Sequence, residues 1–351
     1  AASAAPPAPR RDTIEAERAS GMQADDGGGK MTTVDALKAK RTGPMPTGRK
    51  WKDMPVPFFF NEEAAEAFQA LETRADDVIC TSPVKAGTTW VHKILMLMLH
   101  GLDDAGEPIE PASDVMRALL KSQIYPDALP MTTPSEPSFL GGLLSYPDLL
   151  AMPAPRHFTT HFPAQLLPAK LMDPQGGAGR LIVVLRNPKD VCTSLHFFRG
   201  EAKDGWLGNE HGPGSIARFC SPESPNAYGS VFSWVTETER TAAPLLASGA
   251  EGSVPPRCLV VYYEHLKRDL TAELERIAAF LQCPLPAAKR DALVAAVSFS
   301  AMAGHMTSRK GEVGDWKNHL TDAEWQSFDQ TIAETLAGSQ LYAPLAEYAS
   351  R

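Results

Sequence analysis

The sequence predicts an α/β fold: a single domain with a central, mostly parallel β-sheet flanked by helices. Three short apolar runs indicate buried strands, at Val78–Cys80, Leu181–Leu185 and Cys258–Tyr262. A helix signal follows each run. Strands that alternate with helices favour parallel pairing with both faces of the sheet covered. In such sheets, ligands bind at the carboxyl ends of the strands.

The helix signals can be located residue by residue. After the first run, apolar residues recur at helical spacing over Val91–Leu99, and Gly101 is placed to end that helix. After the second run, Asn187 and Pro188 suit the N-cap and the first helical position. After the third run, an apolar stripe over Leu270–Leu281 predicts another helix.

Composition changes near residue 49. Residues 1–48 are rich in Ala, Pro, Gly and charge without a sustained apolar period, so we expect a disordered tail. We expect the folded domain over residues 49–351, with an early helix capped by Asn61. Residues 103–155 are rich in proline and carry one helical pattern, around Val115–Leu120. We interpret them as a long loop that forms a lid, an acceptor pocket or surface decoration.

Charge and composition exclude some classes of protein. The formal net charge of −8 over 351 residues argues against nucleic-acid binding, which needs a positive field. No stretch reaches the roughly 18 apolar residues of a membrane span, so we predict no membrane partner. The dispersed cysteines indicate free thiols in a reducing compartment, and we expect a cytoplasmic protein. The cysteines are Cys80, Cys192, Cys220, Cys258 and Cys283.

The strongest local pattern is a hexad between a predicted strand and a predicted helix. It consists of Lys85, Ala86, Gly87, Thr88, Thr89 and Trp90. Glycine lets backbone N–H groups face an anion, the start of the helix adds positive potential, and Lys and Thr supply donors. An ordinary helix cap explains one such residue but not the ordered hexad. The pattern predicts a phosphate-binding loop like a P-loop, although it lacks the glycines that precede the lysine in a Walker A motif.

Two further patterns suit anions. Arg186 ends the second predicted strand, and Ser194 lies two turns into the following helix, so together they can hold a terminal phosphate. A salt bridge from Arg186 to Asp190 is the structural alternative. Near the C-terminus, glycines in and after the segment Arg309, Lys310, Gly311 permit close backbone approach to an anion.

These motifs resemble those of the cytosolic sulfotransferase family, which depends on 3′-phosphoadenosine 5′-phosphosulfate (PAPS). The sequences are KAGTTW at 85–90, RNPKDVCTS at 186–194 and RKGEVGDWK at 309–317, in the family's order. Residues 155–163 resemble its P-R-x-x-K-T-H-L-P segment, with Thr159 in place of the lysine, and residues 262–269 resemble its Y-E-D-M-K-x-x-P segment. The resemblance covers most of residues 51–342.

The resemblance implies a role for each motif. The hexad that begins at Lys85 holds the 5′-phosphosulfate, with Trp90 stacked on adenine, and His161 is the catalytic base. The 3′-phosphate is held by Arg186, Ser194, Arg309, Lys310 and Gly311. Adenine is bordered by Tyr263, Ser298, Phe299 and Met302. Because charge builds on the departing phosphate oxygen in transfers of this kind, Lys85 is also predicted to be catalytic.

The predicted function is transfer of a sulfuryl group from PAPS to a hydroxyl or amine of a small acceptor: an alcohol, a phenol or an amine. Two alternatives are a non-catalytic phosphoadenosine-binding relative and a small-molecule kinase; a carbohydrate sulfotransferase of the secretory pathway is a third. We predict no metal, and we do not interpret the spacing of His157 and His161 as a zinc site. Asp322 puts a charge into the family's dimer motif, so we expect a monomer or a weak homodimer.

Overall fold

The computed structural model describes residues 49–121, 123–135, 142–201, 226–246, 255–298, 300–302 and 310–349, with the side chains of 199–201 excepted. These residues all belong to one compact unit, Gly43–Arg351. A separate unit, Ala1–Thr42, lies outside the described residues, as does the rest of the predicted tail over 1–48. The prediction of disorder for the tail therefore stays a prediction.

A four-stranded parallel sheet forms the centre of the domain. Its strands are β3 (Val78–Thr81), β4 (His157–Thr160), β5 (Arg180–Leu185) and β6 (Cys258–Tyr262). They lie in the order β4-β3-β5-β6, and all three pairings are parallel. A small antiparallel pair precedes the sheet, β1 (Lys50–Trp51) with β2 (Met54–Pro55). The predicted α/β fold with a parallel sheet is confirmed.

Helices connect the strands and continue to the C-terminal part of the chain. The described α-helices are α1 (Glu62–Gln69), α2 (Thr88–Met96), α3 (Asp114–Lys121), α4 (Tyr146–Leu150), α5 (Ala169–Met172), α6 (Pro188–Glu201), α7 (Val231–Leu246), α8 (Tyr263–Arg268), α9 (Leu270–Leu281), α10 (Ala287–Val297) and α11 (Asp322–Thr335). A π-helical turn, Leu97–Gly101, extends α2 as far as the predicted glycine stop. Short 3₁₀ turns lie at Pro126–Ala128, Ala164–Leu166, Asp315–Asn318 and Ala343–Tyr348.

Both faces of the sheet are buried, as the continuous apolar strands require. On β3, Val78 and Cys80 pack in a core cluster with residues of α2, α9 and α10. Ile79, which points to the opposite face, packs in a larger cluster with residues of α1, α7 and α11. None of the helices described here is both long and apolar enough to cross a membrane.

Side-chain caps explain several helix starts. The Asn61 side chain accepts a hydrogen bond from the backbone N–H of Ala64 at 3.2 Å, which confirms the predicted cap of α1. Asp269 caps α9 in the same way, through the N–H of Ala272 at 3.0 Å. Thr321 and Glu324 form a capping box at the start of α11. The prediction was incomplete in the proline-rich segment, where α4 forms in addition to α3.

Candidate active site

The four parallel strands end at one edge of the sheet, and a predicted site residue or segment follows each end. Thr81 of β3 pairs with Thr160 of β4, so the loop after β3 and His161 leave the sheet side by side. Leu185 of β5 pairs with Tyr262 of β6. Consequently Arg186 and Tyr263, the next residues of those strands, also leave the sheet at this edge. Parallel pairing thus gathers four motifs that are far apart in the chain.

The loop between β3 and α2 has the tight conformation expected of an anion-binding loop. Gly87 has φ of +108° and precedes Thr88, the first residue of α2. A side chain at Gly87 would bring its Cβ within 2.8 Å of Cδ2 of Tyr263. Lys85 also has a positive φ, +70°. Both the backbone and the neighbouring ring therefore require glycine at position 87.

The hydroxyls of the hexad tie the loop to its surroundings. The Thr88 hydroxyl is hydrogen-bonded to the hydroxyl of Ser82, the first residue after β3. The Thr89 hydroxyl donates to the side-chain carbonyl oxygen of Gln123 at 2.7 Å. Ala86 is fully buried, and its N–H donates to the carbonyl of Pro83 at 3.2 Å. The loop is thus braced both against the sheet and against the proline-rich segment.

Trp90 and Tyr263 form an aromatic corner at the edge of the sheet. Their ring centroids are 5.5 Å apart with an edge-on geometry. The Trp90 indole donates to the carbonyl of Val297 at 2.7 Å, next to Ser298 at the end of α10. Met302 packs on the same cluster. The structure therefore brings four residues predicted for the adenine site together, whereas Phe299 lies outside the described residues.

Arg186 lies against Tyr263 and the C-terminal loop. Its guanidinium is 4.2 Å from the centroid of the Tyr263 ring, and Nη2 donates to the carbonyl of Glu312 at 3.0 Å. The ion pair to Asp190, the structural alternative, is long at 3.7 Å. The Nε atom of Arg186 is buried with no hydrogen-bond partner among the described residues.

Asp190 holds the loop that follows the predicted RKG segment. Its carboxylate accepts from the N–H of Gly314 at 2.7 Å and from the N–H of Trp316 at 3.1 Å. Gly311 has φ of +67°, and Lys310 bonds Asp315 at 3.0 Å. Asp190 thus joins the C-terminal loop to the start of α6, a role that the sequence did not suggest.

Ser194 and Arg309 complete the predicted 3′-phosphate set. Ser194 is half-buried on α6, eight residues after Arg186 and on the helix that begins at the edge of the sheet. Arg309 lies outside the described residues, as the first residue of the RKG segment. Its predicted contact therefore stays a prediction.

His161 follows β4 directly, and its imidazole is held from several sides. Nδ1 lies 2.9 Å from the carbonyl oxygen of Ser82. The ring stacks on Tyr125 at a centroid distance of 5.0 Å and lies 5.3 Å from the ring of Tyr228. The indole of Trp234 donates to the His161 carbonyl at 2.9 Å, which fixes its backbone. Because a carbonyl can only accept, Nδ1 carries the proton and Nε2 has the free lone pair.

Burial changes the basicity of His161. Loss of solvation, together with the charge of Lys85, lowers the pKa of the imidazole to about 4, although the bond to Ser82 acts in the opposite direction. The ordinary imidazole pKa near 6.5 therefore does not apply to the free protein. The ring is neutral at pH 7. The effect of Lys85 also indicates that the two predicted catalytic residues lie close enough to interact.

The ammonium group of Lys85 points towards α6, where it lies 4.2 Å from the centroid of the Phe198 ring. A cation over an aromatic face is stabilised by the ring quadrupole. Lys85 itself is half-buried. The charge is therefore held at the mouth of the phosphate loop, between α6 and the edge of the sheet.

A small cleft of about 20 Å³ opens beside the predicted phosphate loop, which contains Lys85. Its walls come from the start of that loop, from α6 and from α7 with the residues before it, and most of them are apolar. The lining residues are Pro83, Val84, Val191, Cys192, Leu195, Asn226, Ala227, Tyr228, Gly229, Val231 and Trp234. Since Tyr228 and Trp234 also contact His161, the cleft adjoins the predicted base.

Cysteine chemistry differs from the prediction at one position. Cys80, Cys258 and Cys283 are free, but Cys192 of α6 is disulfide-bonded, so the prediction of a free thiol there is wrong. Dispersed spacing gives no sign of such a pair. Among the residues that the structure describes, no group of three or more His, Cys, Asp or Glu side chains could hold a metal ion.

Sequence reasoning missed three residues around His161: Tyr125, Asp127 and Tyr228. Asp127 is fully buried and accepts from the Tyr228 hydroxyl at 2.6 Å and from the Thr160 hydroxyl at 3.3 Å. Tyr125 and Asp127 belong to the proline-rich segment, which had been interpreted as a possible lid, pocket or decoration. Its proximity to the base depends on tertiary packing and has no local sequence signal.

Fold and site together describe an α/β domain in which a tight loop with positive-φ residues, an aromatic corner and a neutral imidazole lie at one edge of the sheet. A family model described as the sulfotransferase domain matches residues 75–340. The chain therefore belongs to the sulfotransferase family and is a sulfotransferase enzyme. The prediction of PAPS-dependent sulfuryl transfer is confirmed at the level of the family.

Individual relatives agree with this membership. Sulfotransferase 1B1 of Mus musculus is 30% identical over 307 residues, which are 81% of this chain and 89% of that protein. Sulfotransferase 1E1 of Cavia porcellus is 27% identical over 296 residues, 79% of this chain and 87% of that protein. The mouse sulfotransferase SULT7A1, crystallised with PAP, shares the fold with a TM-score of 0.65 at 22% identity and covers 87% of this chain and 99% of its own.

Proposed function

We propose that the enzyme transfers a sulfuryl group from PAPS to a hydroxyl or amine of a small acceptor, with His161 as the general base. The bond between Nδ1 of His161 and the carbonyl of Ser82 carries this proposal. It fixes the tautomer so that Nε2 can accept a proton. The same residue, Ser82, begins the loop that is proposed to hold the donor's phosphosulfate.

The residues at the edge of the sheet fit the donor nucleotide. The left-handed backbone at Gly87, at the start of α2, turns the N–H groups of the loop towards one side, which suits an anion. The buried Nε of Arg186 is a donor that lacks an acceptor among the described residues, which suits a phosphate oxygen. Trp90, Tyr263, Ser298 and Met302 supply an aromatic and apolar wall for the adenine.

When bound, PAPS supplies the sulfuryl group and a phosphate leaving group. Lys85 holds a positive charge at the mouth of the loop and neutralises the charge that builds on the departing phosphate oxygen. The start of α2 adds positive potential from its backbone dipoles. Lys85 and the helix start therefore act on the leaving group, while His161 acts on the acceptor.

His161 takes the acceptor's proton at Nε2. Its low pKa keeps the ring neutral at pH 7, so the lone pair is available, but it also makes the free protein's imidazole a weak base. Anionic groups of the donor beside the ring favour the protonated form and raise its pKa. We infer that binding of the donor raises the pKa of His161 and so makes it a stronger base in the complex that reacts.

The walls of the cleft support a mainly apolar acceptor. Valine, leucine, alanine and proline side chains line most of it, and the aromatic rings of Tyr228 and Trp234 adjoin His161. An alcohol or phenol would set its apolar body against these walls and present its hydroxyl to the base. An amine acceptor would have to enter unprotonated to act as the nucleophile.

Transfer of labelled sulfate from PAPS to a panel of alcohols, phenols and amines tests the function directly. We expect turnover with at least one apolar hydroxyl compound. Calorimetry with 3′-phosphoadenosine 5′-phosphate (PAP) and with ATP distinguishes the other functions. Tight PAP binding without turnover on any acceptor would indicate a non-catalytic binder, and preference for ATP would indicate a kinase.

A further inference from the structure

A buried carboxylate, that of Asp127, lies beside the aromatic residues that surround the proposed base. Asp127, in the 3₁₀ turn Pro126–Ala128, has no solvent exposure. No lysine or arginine forms an ion pair with it among the residues that the structure describes. Burial of an uncompensated carboxylate destabilises a fold, so such a group calls for a functional explanation.

Both oxygens of Asp127 accept hydrogen bonds from residues that touch or adjoin His161. Oδ2 accepts from the Tyr228 hydroxyl at 2.6 Å, and the Tyr228 ring lies 5.3 Å from the imidazole. Oδ1 accepts from the Thr160 hydroxyl at 3.3 Å, and Thr160 is the residue before His161. The Thr160 hydroxyl oxygen in turn accepts from the N–H of Phe162 at 3.1 Å. Asp127 therefore holds one wall beside the base and the turn that carries it.

Charged and titratable groups lie around both Asp127 and His161. His161 is faced by Tyr125, Tyr228 and the charge of Lys85. Asp127 is faced by Tyr228, and its charge also acts on Tyr125. Burial raises the pKa of Asp127 to about 6, so the group is mostly ionised at pH 7. Burial also raises the pKa of Tyr228 well above its usual value, so its hydroxyl stays a donor.

We propose that Asp127 is a positioning residue for the base: its two hydrogen bonds fix Tyr228 and the 160–162 turn around His161. This inference rests on the proposed function of His161. The acceptor's proton moves to Nε2 of His161, and Asp127 stays a carboxylate throughout. Its action passes through Tyr228 and Thr160, without contact with the acceptor.

The substitution Asp127→Asn tests the inference, because it keeps the shape and an acceptor for Tyr228 but replaces the acceptor of the Thr160 hydrogen bond with an NH₂ donor. We expect kcat at pH 7 to fall by about tenfold or more, with KM for PAPS changed by less than about twofold. Protonation of Asp127 near pH 6 should give the parent an acidic limb in its kcat profile that the variant lacks. A purely structural role would lower stability and leave this limb in place.

Asp269→Asn is the matched control. It removes an exposed carboxylate that caps α9, and asparagine caps a helix equally well, so kcat and its pH profile should match the parent. If Asp127→Asn does not fold, Tyr228→Phe takes its place, because it breaks the same hydrogen bond and keeps the ring. That variant should show the same fall in kcat with little change in KM for PAPS.

An NMR measurement on the PAP-bound protein, which does not depend on catalytic turnover, distinguishes failure of this inference from failure of the proposed function. The His161 resonances, followed by NMR in the PAP-bound protein, should show a step near pH 6 from protonation of Asp127 in the parent and no such step in Asp127→Asn. Absence of that step in the parent, or an unchanged kcat and acidic limb in the variant, overturns the role of Asp127. Absence of sulfate transfer in the parent itself overturns the proposed function instead.

Discussion

The imidazole of His161 and the carbonyl oxygen of Ser82 are 2.9 Å apart, and this contact joins the proposed base to the phosphate loop. The hydroxyl of the same serine is hydrogen-bonded to Thr88 at the start of α2. One residue thus orients the base through its backbone and braces the loop through its side chain. A change in the loop on binding the donor would reach His161 without an intermediate residue.

The first prediction concerns the titration of His161. In the free protein we expect a pKa of about 4, because the ring is buried and Lys85 is nearby. Addition of PAP should raise this value, since bound anions favour the imidazolium. NMR titration of the histidine resonances, with His161→Gln to assign the signal, measures both values. A pKa near 6.5 that does not respond to PAP would contradict the account.

Arg186→Ala should weaken binding of PAP but hardly affect AMP. Charged hydrogen bonds of this kind contribute about 1.5–3 kcal/mol each, so PAP affinity should fall by about 10- to 100-fold. Arg268→Ala is the control, because that arginine pairs with Glu347 at the exposed surface. Calorimetry with PAP and with AMP on the parent, Arg186→Ala and Arg268→Ala measures these affinities. An equal loss for PAP and AMP would mean that Arg186 does not read the 3′-phosphate.

Gly87→Ala should damage both stability and PAP binding. Alanine at φ of +108° is strained by about 1–2 kcal/mol, and its Cβ would displace the Tyr263 ring. Gly338→Ala is matched for backbone strain, with φ of +80°, but has no atom within 4 Å of the added Cβ. It should lose stability and keep PAP affinity. Thermal melts and calorimetry compare the two; unchanged PAP affinity in Gly87→Ala would contradict the role of the loop.

Much of this architecture follows from local sequence. The apolar runs of β3, β5 and β6 and the cap at Asn61 are each set within a few residues, so the pattern predicts them. The rules for parallel sheets then predict that their carboxyl ends meet. The sequence alone could therefore predict that the residues after these strands, such as Lys85, Arg186 and Tyr263, lie at one edge of the sheet.

The remaining features depend on packing between distant segments. Asp127 is adjacent to the base only because the turn after α3 contacts Tyr228, which lies 101 positions later in the chain. Asp190 reaches the N–H of Gly314 across 124 positions. Neither carboxylate has a local pattern that distinguishes it from a surface acid. Burial of His161, which moves its pKa, is likewise a tertiary property.

A buried cluster behind the active site predicts an effect of pH on stability. His157 of β4 lies 3.2 Å from His92 and 3.0 Å from the Thr159 hydroxyl, and burial lowers its pKa well below the usual value. The unfolded chain therefore binds a proton below about pH 6.5 that the folded protein does not bind. The stability that neutral His157 contributes is present above that pH and is lost as the pH falls.

His157→Gln isolates this contribution from opposing groups such as Glu264, whose pKa burial raises to about 7. The variant should be less stable than the parent at pH 7.5. The gap should shrink by roughly 1 kcal/mol per pH unit below pH 6.5. Urea unfolding of both proteins between pH 7.5 and 5 measures it. A gap that stays constant with pH would show that His157 is protonated in the folded protein.

The central claim is that His161 is the base and Lys85 belongs to the phosphate loop, and paired alanine substitutions test it most directly. Lys85→Ala should lower both PAP affinity and turnover, because Lys85 is proposed to contact the donor before and during transfer. His161→Ala should bind PAP as the parent does and lose about 10²- to 10⁴-fold in the rate of sulfate transfer. A folded, PAP-binding His161→Ala enzyme that transfers sulfate near the parent rate would contradict the account.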